Sequence, residues 1–133
     1  MTAGVNRRTF VAAGLVGSAL HFPAEAAPPL KVIYIGGWDC QPCTAWKNKY
    51  KADWFASPEY KQVTWIEVES PKLKEAYQAR YWPGDLKPIL DQIPRKSGTP
   101  RFLIVKDGKI VSNEFGGGQW TATIADLKRQ LGE

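Results

Sequence analysis

Two cysteines three positions apart, Cys40-Gln41-Pro42-Cys43, follow closely on the apolar run Val32-Ile33-Tyr34-Ile35-Gly36 and are the only cysteines in the chain. A continuous apolar run that ends in glycine reads as a buried strand. Gly36-Gly37 turn the chain, and Pro42 suits the first turn of a helix, where a proline lacks nothing that the helix needs. The pattern therefore specifies a strand that delivers two thiols to the start of a helix. A helix N-terminus carries partial positive charge and unpaired N–H groups, which favour a thiolate there. A second thiol one turn on can attack a mixed disulfide formed by the first. Zinc and copper sites use the same spacing, so the rest of the chain has to decide between these chemistries.

Histidine narrows the choice. His21 is the only one, and it lies in a segment expected to be removed. Asn6-Arg7-Arg8-Thr9-Phe10 leads into the small-residue apolar run Val11 to Leu20, and Pro23-Ala24-Glu25-Ala26 follows. Basic, then apolar, then small is the order of a secretory signal peptide. Residues 1–26 are read as that signal and residues 27–133 as one domain with a core of its own. The paired arginines resemble a twin-arginine export signal, although Asn6, Val11 and Ala12 replace the usual Ser/Thr, Leu and Lys. Either export route leads to the bacterial periplasm, where disulfides persist. The apolar run is shorter than the roughly 18 residues of a membrane span, so no span is expected once the signal is cleaved; a retained anchor is the alternative. Without His21 the chain has too few ligands for a zinc site and no partner for a Cys–His nucleophile. No metal and no cofactor are expected. Loss of Arg7, Arg8 and Glu25 takes the formal charge from +5 to +4, and no run of five like charges suggests nucleic acid or an anionic membrane as partner.

The remaining elements read in order. Thr44 to Phe55 is a helix with Trp46, Tyr50 and Trp54 on one stripe, and Ser57-Pro58 either ends it or begins a separate short turn. Val63 to Glu69 is a β-branched and aromatic strand. Pro71 to Tyr81 is helical in composition, and Trp82-Pro83-Gly84-Asp85 breaks it. Leu86 to Ile93 forms a short helix with Asp85 as N-cap. Asp107-Gly108 joins the apolar runs Arg101–Val105 and Lys109–Val111 as a hairpin. After Gly116-Gly117-Gly118, a last helix carries Ile124, Leu127 and Leu131 on one face.

Trp38-Asp39-Cys40-Gln41-Pro42-Cys43 resembles the Trp-x-Cys-x-x-Cys motif of the thioredoxin superfamily, and Ser97-Gly98-Thr99-Pro100 ahead of Arg101–Val105 resembles its residue-then-cis-proline pair. The resemblance covers roughly residues 30 to 131. It implies an α/β thioredoxin-like fold: a central mixed β-sheet flanked by helices, with an enlarged helical segment before the cis-proline strand. It also implies that Thr99 offers its backbone to a substrate peptide beside the cysteines. An ordinary trans Pro100 at a strand start is the alternative. Many members carry a buried Asp six positions before the first cysteine to relay protons; Tyr34 stands there, leaving Glu67 and Glu69 as relay candidates or as plain solvated carboxylates. Residues Lys72 to Lys96, with Tyr77, Tyr81 and Trp82, either cover the site and choose the partner or form a packed helical insert. The size, the cysteine motif with Trp46 and the Gly98-Thr99-Pro100 run are also similar to small periplasmic thioredoxins of bacterial sulfur-oxidation clusters.

The expected activity is that of a periplasmic thiol-disulfide oxidoreductase. Cys40 attacks, Cys43 resolves, Pro42 stiffens the turn that Gln41 shares, and Thr99-Pro100 seats the partner. Trp38 is read either as an apolar rim of the site or as a core aromatic. Gln41-Pro42 places no cation between the thiols, so the couple leans to the reducing side. The expected partners are disulfide-containing periplasmic proteins and a membrane electron donor that restores the dithiol. The alternatives are a disulfide-donating oxidant of the same fold, a Cu(I) carrier using the CxxC pair, and a binding domain with a purely structural disulfide. The last would gain only modest stability from so small a loop.

Overall fold

The computed structural model describes residues 29–133; the expected signal, residues 1–26, lies outside them. At the centre runs β1 (Leu30–Gly37). It pairs in parallel with β2 (Thr64–Ser70) and antiparallel with β3 (Arg101–Lys106), which pairs antiparallel with β4 (Lys109–Phe115). The order β2-β1-β3-β4 makes a mixed sheet. Asp107 and Gly108 both take positive φ, 51° and 79°, the conformation of the two-residue hairpin turn that Asp-Gly specifies.

Both faces of the sheet are covered, which is why β1 over Val32–Ile35 and β3 over Phe102–Val105 run apolar without alternating. Alternate residues nevertheless serve different layers. Val32, Tyr34, Phe102 and Ile104 pack against the cysteines, Trp46 and Trp54 on one face. Trp120 and Leu127 of α4 (Trp120–Gln130) close that layer. Ile33, Ile35, Leu103 and Val105 face the other way, onto the segment between β2 and β3.

The helix expected over Thr44 to Phe55 starts three residues earlier, at Gln41. It runs as α1 (Gln41–Trp46), a π turn (Lys47–Lys51) and α2 (Ala52–Ala56), with helical dihedrals through both junctions. Ser57 ends it in an extended conformation and caps it by donating from Oγ to the Trp54 carbonyl at 2.7 Å.

Two sequence expectations are corrected. Pro71 to Tyr81 forms no α-helix: it holds the 3-10 turns Leu73–Glu75 and Ala79–Tyr81, with Gln78 extended between them. Packing overrides propensity here. Ala76, Tyr77 and Trp82 are all drawn onto the sheet, and Trp82 Nε1 donates to the Ala76 carbonyl, taking an acceptor a helix would have used. Asp85 is likewise not an N-cap. It lies within a 3-10 turn (Gly84–Leu86) that runs into α3 (Lys87–Gln92), whose cap position is Leu86 with no side-chain hydrogen bond. The turn's own carbonyls meet the first N–H groups, as in the Lys87 N–H to Gly84 C=O bond. The segment from 71 to 96 is thus a packed layer made mostly of short turns. Among the described residues no helix is long and apolar enough to cross a membrane.

Candidate active site

β1 ends at Gly37 and the chain turns through Trp38 and Asp39 into α1. Two bonds fix this turn to the end of β2 and the segment after it. Trp38 N–H donates to the Ser70 carbonyl at 2.9 Å, and Leu73 N–H donates to Asp39 Oδ1 at 2.7 Å. The turn leaves the Trp38 side chain 70% exposed, so it stands at the rim and not in the core.

Cys40 and Cys43 form a disulfide, with 5.2 Å between their Cα atoms. Cys40 is the N-cap of α1 and accepts the Cys43 N–H at its Sγ, at 3.1 Å. Sulfur thus takes the place that a serine or aspartate oxygen fills in ordinary caps. Both cysteines are only 1% exposed, so burial does not set Cys40 apart from Cys43 in this form. Gln41 and Pro42 between them are exposed.

The second wall comes from the start of β3. The Thr99–Pro100 bond is cis, and Thr99 Oγ1 donates to Cys40 Sγ at 3.3 Å. Cys40 Sγ therefore receives two donors, one from its own helix and one from 59 positions away. Hydrogen bonds of this kind strengthen when the acceptor is charged, so the arrangement favours a thiolate on Cys40 once the disulfide opens. Beside Pro42, Gly117 and Gly118 of the loop after β4 border a cavity of about 290 Å³ floored by Trp46.

Behind Cys43 the place six before Cys40 holds Tyr34, fully buried. Its hydroxyl donates to Glu69 Oε2 at 2.8 Å, and Lys47 Nζ holds the same oxygen. Gly36 lies between this group and the sulfur. A Cβ there would overlap the Tyr34 hydroxyl and stand 3.0 Å from Cys43 Sγ, so only glycine leaves them room. Glu67 is instead tied outward to Lys51 and Trp65. Of the two carboxylates, Glu69 is the one joined to the interior.

Burial, then the Glu69 hydrogen bond, then the charges of Glu69 and Glu67 raise the Tyr34 phenol well above its ordinary 10.0. The folded chain keeps a proton that the unfolded chain gives up near pH 10, so this group stabilises fully below that pH and its contribution is lost as pH rises further. Tyr34→Phe is expected to flatten the alkaline decline in stability while costing about 1 kcal/mol near neutrality. Urea midpoints measured from neutral pH to well above pH 10 check both signs.

The structure brings Cys40, Cys43, Pro42, Thr99 and Pro100 to one place, with Trp38 at its edge. Arg101, Asp39 and Lys47 escaped the sequence reading, while Tyr77 was read only within the segment Lys72 to Lys96 that covers the site or packs as an insert. For Arg101 there was a signal: a charged residue opening an otherwise apolar run, directly after Pro100. For Lys47 and Asp39 there was none, because their partners Glu69 and Leu73 lie 22 and 34 positions away.

No protein-family model matches the chain, and no curated protein matches its sequence. Solved structures do. Thioredoxin of Fasciola hepatica is 21% identical, with 77% of this chain and 82% of that one aligned at a TM-score of 0.52. Thioredoxin of Malassezia sympodialis is 16% identical over 76% and 79%, also at 0.52. Thioredoxin f2 of Chlamydomonas reinhardtii is 15% identical over 80% and 82%, at 0.51. At these identities the likeness speaks to architecture alone. The chain has the thioredoxin fold, with its cysteines paired as CxxC at the head of the helix that follows β1.

Proposed function

We propose that the protein is a periplasmic thiol-disulfide oxidoreductase that reduces disulfides in partner proteins. The observation that carries the oxidoreductase part of this reading, as distinct from its direction, is the setting of Cys40 Sγ, which accepts from the Cys43 N–H and from Thr99 Oγ1 at once. A structural disulfide has no need of a second donor from a loop 59 positions away. In the dithiol form the same donors would hold charge on Cys40.

The cycle starts with the Cys40 thiolate attacking one sulfur of a partner disulfide. A Cys40–partner bond forms, the partner's own S–S bond breaks, and its second sulfur leaves as a thiolate. The partner meanwhile lies against Thr99-Pro100, with Trp38 and Pro42 at the edges. Cys43, as thiolate, then attacks Cys40 Sγ; the Cys40–Cys43 bond forms and the partner leaves reduced. Two electrons pass from the dithiol to the partner, and the protons from Cys40 and Cys43 end on the two partner sulfurs or in solvent. Glu69, reached through the Tyr34 hydroxyl, is the carboxylate best placed to take the Cys43 proton.

The reducing direction rests on Gln41-Pro42, which brings no cation to stabilise the dithiol state. A reductant outside the cytoplasm needs an external electron source, and a membrane donor fits an exported chain. The likeness to small thioredoxins of sulfur-oxidation clusters fits the same setting. Equilibration of the mature protein with dithiothreitol and glutathione series tests the direction. A potential near about −270 mV is expected for a reductant, while one near about −120 mV would reverse the reading to a disulfide donor. Stoichiometric Cu(I) retention with no thiol exchange would instead favour the metal carrier.

A further inference from the structure

Arg101 is a cation only 7% exposed, and none of the ion pairs among the described residues includes it. A buried charge without a carboxylate has to be satisfied by other acceptors. Its guanidinium finds three. Nε donates to the Tyr77 hydroxyl at 2.8 Å, one terminal nitrogen to Asn113 Oδ1 at 2.6 Å, and the other to the Ser97 carbonyl at 2.7 Å. The rings of Phe115 and Tyr77 lie 5.5 and 5.8 Å from its central carbon, within cation–π range.

These contacts converge on the loop before Pro100. Tyr77 passes the bond on, donating its own proton to the Gly98 carbonyl at 2.6 Å. Gly98, at φ +92°, lies so close to the Phe115 ring that a Cβ would overlap it. On the other side Gly116 N–H donates to the Pro100 carbonyl at 2.8 Å. The carbonyls of Ser97, Gly98 and Pro100 are therefore all engaged. Thr99 alone is left: among the described residues no hydrogen bond uses its N–H or its C=O, while its hydroxyl reaches Cys40.

The geometry points to Arg101 as a positioning residue, which with Tyr77 clamps the Ser97–Pro100 loop so that the Thr99 backbone stays free to pair with an extended partner chain. This rests on the oxidoreductase reading above and adds a determinant of partner choice to it. Arg101 touches neither sulfur in any hydrogen bond, so its effect falls on seating the partner rather than on thiol exchange itself. A small aromatic disulfide, which has no backbone to pair, should feel the clamp far less than a protein does.

Tyr77→Phe removes the link between Arg101 and Gly98, and Arg101→Lys keeps the charge but loses the forked geometry that reaches three acceptors. Both are to be compared with the unaltered protein, each pre-reduced and freed of reductant, with oxidation of its dithiol followed against a concentration series of either insulin or 5,5′-dithiobis(2-nitrobenzoate) to give a KM and a limiting rate. For Tyr77→Phe the KM for insulin is expected to rise about tenfold more than that for the small disulfide, with the limiting rate little changed. Arg101→Lys should fall between the two. Backbone order parameters at Gly98 and Thr99 should drop from the rigid range, about 0.85, to below about 0.6. Equal losses on both disulfides, or an unchanged insulin KM, would overturn the proposal. Should the unaltered protein exchange with neither disulfide, the oxidoreductase reading falls. The order parameters then decide the clamp alone: unchanged values overturn it, lowered ones uphold it.

Discussion

Replacing Cys40 by serine should lower thiol–disulfide exchange with any disulfide by about a thousandfold or more. A serine hydroxyl is not ionised near neutral pH, and the donors around Cys40 Sγ cannot make it a comparable nucleophile. The fold should survive, because a serine oxygen can still cap α1 through the Cys43 N–H. Cys43→Ser should behave differently. Attack by Cys40 is retained but release is not, so the mixed disulfide with the partner accumulates and can be read by mass spectrometry. Exchange that persists in Cys40→Ser, or no trapped adduct in Cys43→Ser, would contradict the assignment of attacker and resolver.

The largest loss of stability is expected at Trp46. Its ring is buried and lies 5.1 Å from Tyr34, 5.2 Å from Phe102 and 5.2 Å from Trp120, joining α1 to the sheet and to α4. Truncating a buried aromatic of this size costs about 3–5 kcal/mol, a large part of the 5–15 kcal/mol that stabilises a typical domain. Trp46→Ala should therefore lower the denaturant midpoint steeply with little change in slope. Trp46→Phe should fall between the two. A midpoint for Trp46→Ala equal to that of the unaltered protein would mean that the aromatic layer can collapse around the gap.

What was legible in the sequence is what depends on short range. The strand before the cysteines, the Asp107-Gly108 hairpin and the apolar face of the last helix each announce themselves within about ten residues, and each stands where the periodicity placed it. The stretch from Pro71 to Tyr81 misled because its helix-forming composition competes with a sheet face that draws in Ala76, Tyr77 and Trp82. Asp85 misled because a 3-10 turn had already met the N–H groups it would have capped. In the candidate site the cysteines and Thr99-Pro100 carry a local pattern. Arg101 does not: its meaning comes from Tyr77, Ser97 and Asn113, and Tyr77 and Asn113 lie 24 and 12 positions away along the chain. A buried cation at a strand start cannot be told from a solvated one until the fold brings those acceptors to it.

The 59 positions between Cys40 and Thr99 divide the site in time as well as in space. The two sulfurs lie within a single turn and can meet as soon as the chain exists, whereas Thr99 arrives only when β3 has docked beside β1, across a long loop whose closure is slow. On the proposed reading, a chain caught midway through folding holds its two thiols before it holds the Thr99 wall that seats a partner, and its choice of partner is completed only with the sheet.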